Sequence, residues 1–177
     1  YAACPVCSPT RISIMTGKYP ARTGVTNYIP GNESFPKAPL KAVTNELEMK
    51  IEEVTIAEAL KTKGYATACI GKWHLGAKDT DADKQGFDLY ATRGTRKKPG
   101  TEGPTWSGSP NLQGAPEDYI TDRFAKTAFK FINDNQDKPF FLYLAFHNPH
   151  IPFDGRPDLV AKYEAKLKTT GDIPPTG

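Results

Sequence analysis

The hydrophobic pattern of this chain is clearest in residues 119–133, where apolar residues recur every three or four positions. The apolar positions are Ile120, Phe124, Ala128, Phe131 and Ile132. This spacing predicts an amphipathic helix that packs its apolar face into the core. A continuous apolar run follows at residues 139–146, and its length and aromatic content predict a central strand of a parallel sheet, buried on both faces.

A second helix and a second strand are predicted in the middle of the chain. Thr55 and Glu58 have the spacing of a capping box, which opens a helix that should run through Lys63 and end at Gly64. A short strand is then expected over residues 65–70. Strands that alternate with helices in this way predict an α/β fold.

The segments between these elements have the composition of loops. Residues 27–54 contain Pro, Gly, Asn and charged residues without sustained periodicity, and Asn32 opens a formal N-glycosylation triplet there. Residues 93–116 are rich in Gly, Pro, Ser and Lys around Trp106, which is typical of a variable surface loop. Residues 158–167 have the propensity of a further helix.

Composition narrows the classes of protein to which the chain can belong. Its 177 residues are 38% hydrophobic and 11% aromatic, which is enough for the core of one globular domain. The net charge is +3 with both signs spread along the chain, so no basic tract indicates nucleic-acid binding. No run approaches the roughly 18 apolar residues of a membrane span. The 3 cysteines, an odd number, do not indicate a disulfide framework.

The candidate chemistry begins at Cys7. Ser8 is a good N-cap residue and Pro9 suits the first helical position, so we expect a helix from just after Cys7 to about Thr16. Free backbone N–H groups and the positive end of the helix dipole would then face the thiol, and Arg11 would return to the same side one turn later. This arrangement predicts an anion site built around a sulfur atom.

Four more candidate residues follow the two predicted strands. Lys72 and His74 come directly after the first strand, and His147 and His150 come directly after the second. The carboxyl ends of parallel strands lie at one edge of a sheet, where ligands bind in open α/β folds. We therefore expect these side chains to meet in one site.

The same residues stand in three segments that resemble the signatures of type I sulfatases. Residues 7–11 read C-S-P-T-R and are followed by T-G and by Y-P-A-R-T-G, as in the first signature. Residues 71–76, G-K-W-H-L-G, resemble the second signature. Residues 149–152, P-H-I-P, resemble a third element of the family, P-H-x-P, and that register selects His150 rather than His147.

This resemblance implies the α/β fold of the alkaline phosphatase superfamily, a mostly parallel sheet flanked by helices, and hydrolysis of sulfated small molecules or carbohydrates. In that family a formylglycine-generating enzyme oxidises the cysteine at the position of Cys7, and the hydrated aldehyde attacks sulfur. Arg11 would hold the hydrate, and Lys72 would neutralise a sulfate oxygen. His74 would take the proton that collapses the intermediate, and His150 would donate to the leaving oxygen. By family habit the protein would be periplasmic, secreted or lysosomal.

The resemblance also implies a divalent cation, usually calcium, beside the formylglycine. The family holds it with an Asp-Asp pair on the first strand and an Asp-Asn pair well after the P-H-x-P element, and neither pair is present in this chain. The modified Cys7 is the one plausible ligand here, whereas calcium takes several oxygen ligands. We therefore expect residues 1–177 to be a partial sulfatase catalytic domain, truncated at both ends.

Other interpretations remain open from the residues alone. Cys4 and Cys7 could form a redox or zinc C-x-x-C, and zinc could bind both of them together with His147 and His150. A phosphonate or phosphate ester hydrolase of the same superfamily would share the fold. In a non-catalytic, sulfatase-like binding module, Cys7 would stay a thiol.

Overall fold

The computed structural model of the chain describes residues 2–30, 39, 44–77, 79–96, 106–108, 111–113, 118–151, 153 and 155–170. The helices are α1 (Cys7–Thr16), α2 (Pro20–Thr23), α3 (Ile56–Lys61), α4 (Ile120–Asn133) and α5 (Pro157–Thr170). The strands are β1 (Ala66–Gly71), β2 (Leu89–Ala91), β3 (Arg93–Arg96), β4 (Trp106–Gly108) and β5 (Phe140–Ala145). A 3₁₀ turn spans Ala82–Lys84. The glycosylation triplet at residues 32–34 lies outside the described residues.

A parallel sheet of three strands, in the order β2-β1-β5, forms the centre of the fold. Strand β1 pairs with β5 over its whole length, from Ala66 opposite Phe140 to Gly71 opposite Ala145. Both strands therefore end at the same edge of the sheet. The expectation that residues 139–146 form the central strand is wrong for the described part of the chain, where β1 lies in the middle and β5 pairs on one side. The strand is also not buried on both faces, since Leu144 is 37% exposed. An apolar run indicates that a strand can be buried, but it does not indicate which neighbouring elements cover it.

Helices cover both faces of β1, which confirms the predicted α/β fold. On one face the core is supplied by α1, α3, β1 and the segment after β1: Ile12, Met15, Ala57, Cys69 and Leu75. On the other face it is supplied by α4 and β1: Ala68, Ile70, Ile120, Phe124 and Phe131. The apolar stripe of α4 thus packs into the core, as the sequence predicts.

The helix ends follow the predicted signals in part. The capping box at α3 is confirmed, since Thr55 Oγ1 accepts from the N–H of Glu58 at 3.1 Å and the N–H of Thr55 donates to Glu58 Oε2 at 2.7 Å. The prediction of Ser8 as the N-cap of α1 is wrong, because Val6 holds that position. The buried Ser8 hydroxyl instead accepts from the N–H of Ile29 at 3.2 Å. In the described residues, no helix combines the length and apolarity needed to cross a membrane.

The loop prediction for residues 93–116 is wrong at two places. Strands β3 and β4 pair there in antiparallel fashion, with Arg93 opposite Gly108 and Arg96 opposite Trp106. The short strand β2 was also not predicted. These three-residue and four-residue strands carry no run of alternating apolar residues, so their sequences give no strand signal. The side chain of Trp106 is not among those that the structure describes.

Candidate active site

The residues selected from the three sequence segments lie around one cleft, at the edge of the sheet where β1 and β5 end. The cleft has a volume of about 770 Å³, and Cys7, Lys72, His74, His147 and His150 all line it. Its wall also includes Pro5, Tyr28, Ile29, Tyr90 and Ile151. The expected convergence of the two strand ends is therefore observed, and the start of α1 lies at the same cleft.

The turn after β1 is compact because Gly71 permits close approach of the two backbones. Gly71 has a φ of 103°, and a Cβ added there would overlap the carbonyl oxygen of Ala145 on β5. The N–H of Lys72 donates to that same carbonyl at 2.7 Å, which extends the β1–β5 pairing by one residue. His74 has a φ of 58°, a conformation that is uncommon for a residue with a side chain and that often occurs at functional sites.

Arg11 connects the start of the chain to both strand ends. Its Nη1 donates to the carbonyl of Lys72 at 2.8 Å and to the hydroxyl of Tyr143 on β5 at 2.9 Å. Burial raises the pKa of Tyr143, so the phenol stays neutral and accepts, although the charge of Arg11 opposes the shift. Nε of Arg11 is buried and has no hydrogen-bond partner among the described residues. The guanidinium thus has a buried donor that no described residue satisfies.

Cys7 is the first residue of α1 and is half-buried. Its Sγ lies 4.0 Å from Oγ of Ser8, which is a long contact. Thr10, in the next turn, fixes the preceding segment because its Oγ1 accepts from the N–H of Cys4 at 3.1 Å. Cys7 also lines an adjoining cavity of about 450 Å³, and Arg11 lines that cavity rather than the cleft itself. The thiol position is therefore open on two sides.

The three cysteines are free thiols with different surroundings. Cys4 and Cys7 are half-buried, whereas Cys69 on β1 is fully buried, and that burial raises its pKa to about 12. In the part of the chain that the structure describes, no three His, Cys, Asp or Glu side chains are grouped so that they could hold a metal ion. The described residues therefore do not assemble the zinc site considered from the sequence.

His74 is held by one hydrogen bond and surrounded by positive charge. Its Nε2 lies 2.8 Å from the carbonyl oxygen of Ile29, and its Nδ1 is buried without a partner among the described residues. Burial lowers the pKa of His74, and the charge of Lys72 lowers it further. Arg11 and His150 act in the same direction, whereas the bond to Ile29 opposes the shift. The ring is therefore neutral at neutral pH.

The two histidines after β5 differ in their surroundings. His147 is half-buried, and its ring stacks on Phe124 with centroids 5.7 Å apart and planes inclined by 20°. His150 is exposed, its N–H donates to the carbonyl of His147 at 2.9 Å, and its Nδ1 lies 2.7 Å from the carbonyl oxygen of Ile151. His147 thus contributes to the packing on α4, while His150 projects to the mouth of the cleft.

Sequence reasoning missed two groups of this site. The carbonyl of Ile29 holds His74, and no side-chain pattern reveals a main-chain acceptor in a loop. Tyr143 was read only as part of an apolar strand. Its hydroxyl was the available signal, because a buried Tyr usually finds a polar partner.

Comparisons with known proteins agree with this geometry. A family model described as "Sulfatase" matches residues 1–174. Arylsulfatase G of Mus musculus is 29% identical over 209 residues, covering 95% of this chain and 38% of that protein. An arylsulfatase of Hemicentrotus pulcherrimus is 31% identical over 172 residues, covering 85% of this chain and 30% of that protein. The chain thus spans between 30% and 38% of the length of these two relatives.

A solved structure shares the fold. The crystal structure of Ps i-CgsB in complex with k-i-k-neocarrahexaose is similar to this chain with a TM-score of 0.70 and 25% sequence identity. The match covers 93% of this chain and 39% of that one.

Proposed function

The chain belongs to the sulfatase family, and from that premise we propose that the protein hydrolyses sulfate esters with Cys7, once oxidised to formylglycine, as its nucleophile. The observation that carries the proposal is the cleft, where residues of three distant sequence segments surround the first residue of α1. Cationic side chains on two sides and a helix N-terminus suit a bound sulfate.

The site fits a formylglycine at position 7. The modification would supply a hydrated aldehyde, one hydroxyl of which can attack the sulfur of the ester. Arg11 would hold that hydrate, since its buried Nε lacks an acceptor among the described residues. Its other bonds, to Lys72 and Tyr143, fix the guanidinium plane in advance of binding.

Lys72 and His74 would divide charge neutralisation and proton transfer. Lys72 lines the cleft and would bind a sulfate oxygen as a point charge. His74 is neutral with an available acceptor at Nδ1, so it can take a proton from the covalent sulfate ester of the enzyme and allow sulfate to leave. Its position beside two cations keeps it neutral until that step.

His150 would donate the proton that the leaving alcohol oxygen needs. Its Nδ1 faces the carbonyl oxygen of Ile151 and therefore carries a proton, so the proton given to the leaving oxygen would come from Nε2 of the doubly protonated ring. The ring is exposed at the cleft, as a group that meets the departing part of the substrate should be.

The residues of this chain do not by themselves fit the family's calcium site. No group of three or more possible ligands exists in the described ranges, and Cys7 as formylglycine would supply one oxygen. We derive no catalytic step through calcium. We propose instead that the remaining ligands lie outside residues 1–177, which would then form part of a larger catalytic domain. We further propose a periplasmic, secreted or lysosomal location, as is habitual in the family.

The test uses the full-length protein produced together with a formylglycine-generating enzyme, its proposed maturation partner. We expect the tryptic peptide with Cys7 to show the mass decrease of a CH₂–SH group converted to an aldehyde. The mature protein should hydrolyse 4-nitrophenyl sulfate in preference to 4-nitrophenyl phosphate. The Cys7→Ala variant should lose this activity, whereas the matched Cys4→Ala variant should keep it.

Three outcomes would contradict the proposal. An unmodified Cys7 thiol under these conditions would favour a non-catalytic binding module. A preference for the phosphate ester would favour the phosphate hydrolase of the same superfamily. Equal loss of activity in both cysteine variants would show that the segment, rather than Cys7 itself, matters.

A further inference from the structure

Ile29 connects α1 with the turn after β1. Its N–H donates to Oγ of Ser8 at 3.2 Å, and its carbonyl oxygen lies 2.8 Å from Nε2 of His74. Ser8 is fully buried, so this bond is shielded from water. One residue in a loop is therefore held from both sides, by the residue after Cys7 and by His74.

The contact with Ile29 determines where the His74 proton lies. A carbonyl oxygen only accepts, so Nε2 of His74 must carry the proton. In a neutral imidazole the other nitrogen then has the lone pair, which places the acceptor at Nδ1. The opposite tautomer would set two lone pairs against each other at 2.8 Å.

The remainder of the loop has an anchor of its own. Oδ1 of Asn45 accepts from the N–H groups of Thr26 and Asn27 at 2.8 and 2.9 Å. That contact fixes the loop just before Ile29 but touches neither its N–H nor its carbonyl. Among the described side chains, Ser8 is therefore the one that holds the main chain of Ile29 next to the carbonyl that contacts His74.

We propose that Ser8 is a positioning residue that acts through the main chain of Ile29 to hold His74 in the Nε2–H tautomer. Ser8 follows Cys7 in the first turn of α1. The acceptor Nδ1 of His74 is then linked through Ile29 to the same helical turn as the proposed nucleophile. The catalytic meaning of this contact rests on the proposed function, but the tautomer itself does not.

The charges around His74 favour a neutral ring, for which the tautomer matters. Lys72 lies two residues before it, Arg11 approaches from α1, and His150 approaches from the segment after β5. Each lowers the pKa of His74 in addition to burial. A charged ring would carry protons on both nitrogens and would lose the acceptor that the contact preserves.

The test is a ¹H–¹⁵N spectrum of the protein with ¹⁵N-labelled histidine rings, at a pH above neutrality. The His74 signals are identified by their absence in His74→Asn. We expect a slowly exchanging proton on Nε2 and the nitrogen shift of an unprotonated Nδ1. In Ser8→Ala the Nε2–H signal should be lost to exchange with water, and Ser8→Thr, which keeps the hydroxyl, should restore it.

The matched control is Asn45→Ala, which removes two hydrogen bonds from the same loop. We expect it to keep the Nε2–H signal, whereas a merely structural effect of loosening the loop would remove the signal in both variants. A Ser8→Ala variant that keeps the signal would overturn the proposal. If Ser8→Ala does not fold, the proposal is tested on the unaltered protein. A proton on Nδ1 of His74 there, or an Ile29 amide that exchanges with water as fast as an unprotected amide, would overturn the proposal.

Activity measurements separate this inference from the proposed function. If the mature protein does not hydrolyse sulfate esters but the spectra behave as expected, the proposed function fails and the positioning role stands. If the mature protein hydrolyses sulfate esters but the Nε2–H signal of His74 is unchanged in Ser8→Ala, the positioning role fails and the proposed function stands.

Discussion

His147 and His150 are three residues apart, and their contacts predict different effects of substitution. If His150 is the general acid, His150→Ala should lower kcat for alkyl sulfates by about 10²-fold or more, because a poor leaving group needs the proton. The loss should be much smaller for 4-nitrophenyl sulfate, whose leaving oxygen is stable as an anion. Steady-state kinetics of the mature full-length protein on both substrates would measure this difference.

His147→Ala is the matched comparison. Its ring packs on Phe124, so removing it should lower the melting temperature while changing kcat little for either substrate. Equal losses on both substrates for His150→Ala would indicate a sulfate-binding role instead. A larger kinetic loss for His147→Ala would show that the third motif selects the wrong histidine.

His74 should make the stability of the protein depend on pH. Below about pH 6.5 the unfolded chain protonates its histidines, whereas the folded protein keeps His74 neutral because burial and Lys72 lower its pKa. The unfolded state then binds more protons, so the free energy of unfolding decreases as the pH falls through this range. In His74→Asn, this part of the decrease should be absent.

Asn suits this comparison because it tolerates the left-handed φ of 58° at that position. Urea unfolding at about pH 7.5 and about pH 5.5, followed by circular dichroism, gives the four free energies needed. The same decrease in both proteins would mean that His74 titrates normally in the folded state.

The close approach of β1 and β5 at their last residues depends on Gly71. Gly71→Ala should place a methyl group on the carbonyl oxygen of Ala145, and it should cost on the order of 3 kcal/mol of unfolding free energy because the strands must separate. Gly64, after α3, also has a positive φ, of 79°, but nothing lies within 4 Å of an added Cβ. Gly64→Ala should therefore cost only about 1 kcal/mol of backbone strain.

Chemical unfolding of both glycine variants would separate the two contributions. Similar costs would mean that the strand ends can move apart easily, and the position of Lys72 would then be less firmly set than the structure indicates.

The elements that the sequence predicts well are those with strong local signals. The apolar stripe of α4 and the capping box at Thr55 each depend on residues within one or two helical turns, and both are observed. The N-cap of α1 was misplaced because Ser8 is bonded to a residue 21 positions away. Likewise, the order β2-β1-β5 of the described strands is a property of the sheet, which a single strand sequence does not contain.

In the candidate site, too, the sequence predicts the groups with local signals but not those that depend on tertiary contacts. The side chains at positions 7, 72, 74 and 150 stand in recognisable motifs, so the sequence selects them. The partners that orient them, the carbonyl of Ile29 and the hydroxyl of Tyr143, come from a loop and a strand without a motif. The sequence motifs contain the proposed reacting side chains, whereas the groups that orient those side chains reach them through tertiary contacts.

Several apolar side chains of β5, α5 and the segment between them remain exposed. The three most exposed of them are Phe153 at 80%, Ile151 at 67% and Tyr163 at 57%. No residue of α5 is buried. The chain also matches at most 38% of the length of the two arylsulfatases described above. Both observations agree with the proposal that further parts of a catalytic domain pack here.

The same proposal predicts how residues 1–177 respond to calcium. Without the two carboxylate pairs of the family, this segment should show no tight, stoichiometric binding in isothermal titration calorimetry. A longer protein that includes those pairs should bind calcium tightly. Saturable high-affinity binding by residues 1–177 alone would mean that the ligands lie within this chain and that its partial character has been misjudged.

The contacts of Arg11 also bear on the order in which the site can form during translation. Its two acceptors lie 61 and 132 residues further along the chain. A ribosome adds about 5–20 residues per second, so Arg11 is made roughly 7–26 s before Tyr143. Once Cys7 has left the ribosome, it is present on a chain whose strand β5 has not yet been synthesised. If Cys7 is modified as proposed, the modifying enzyme would therefore meet the thiol before Arg11 is bonded to Tyr143.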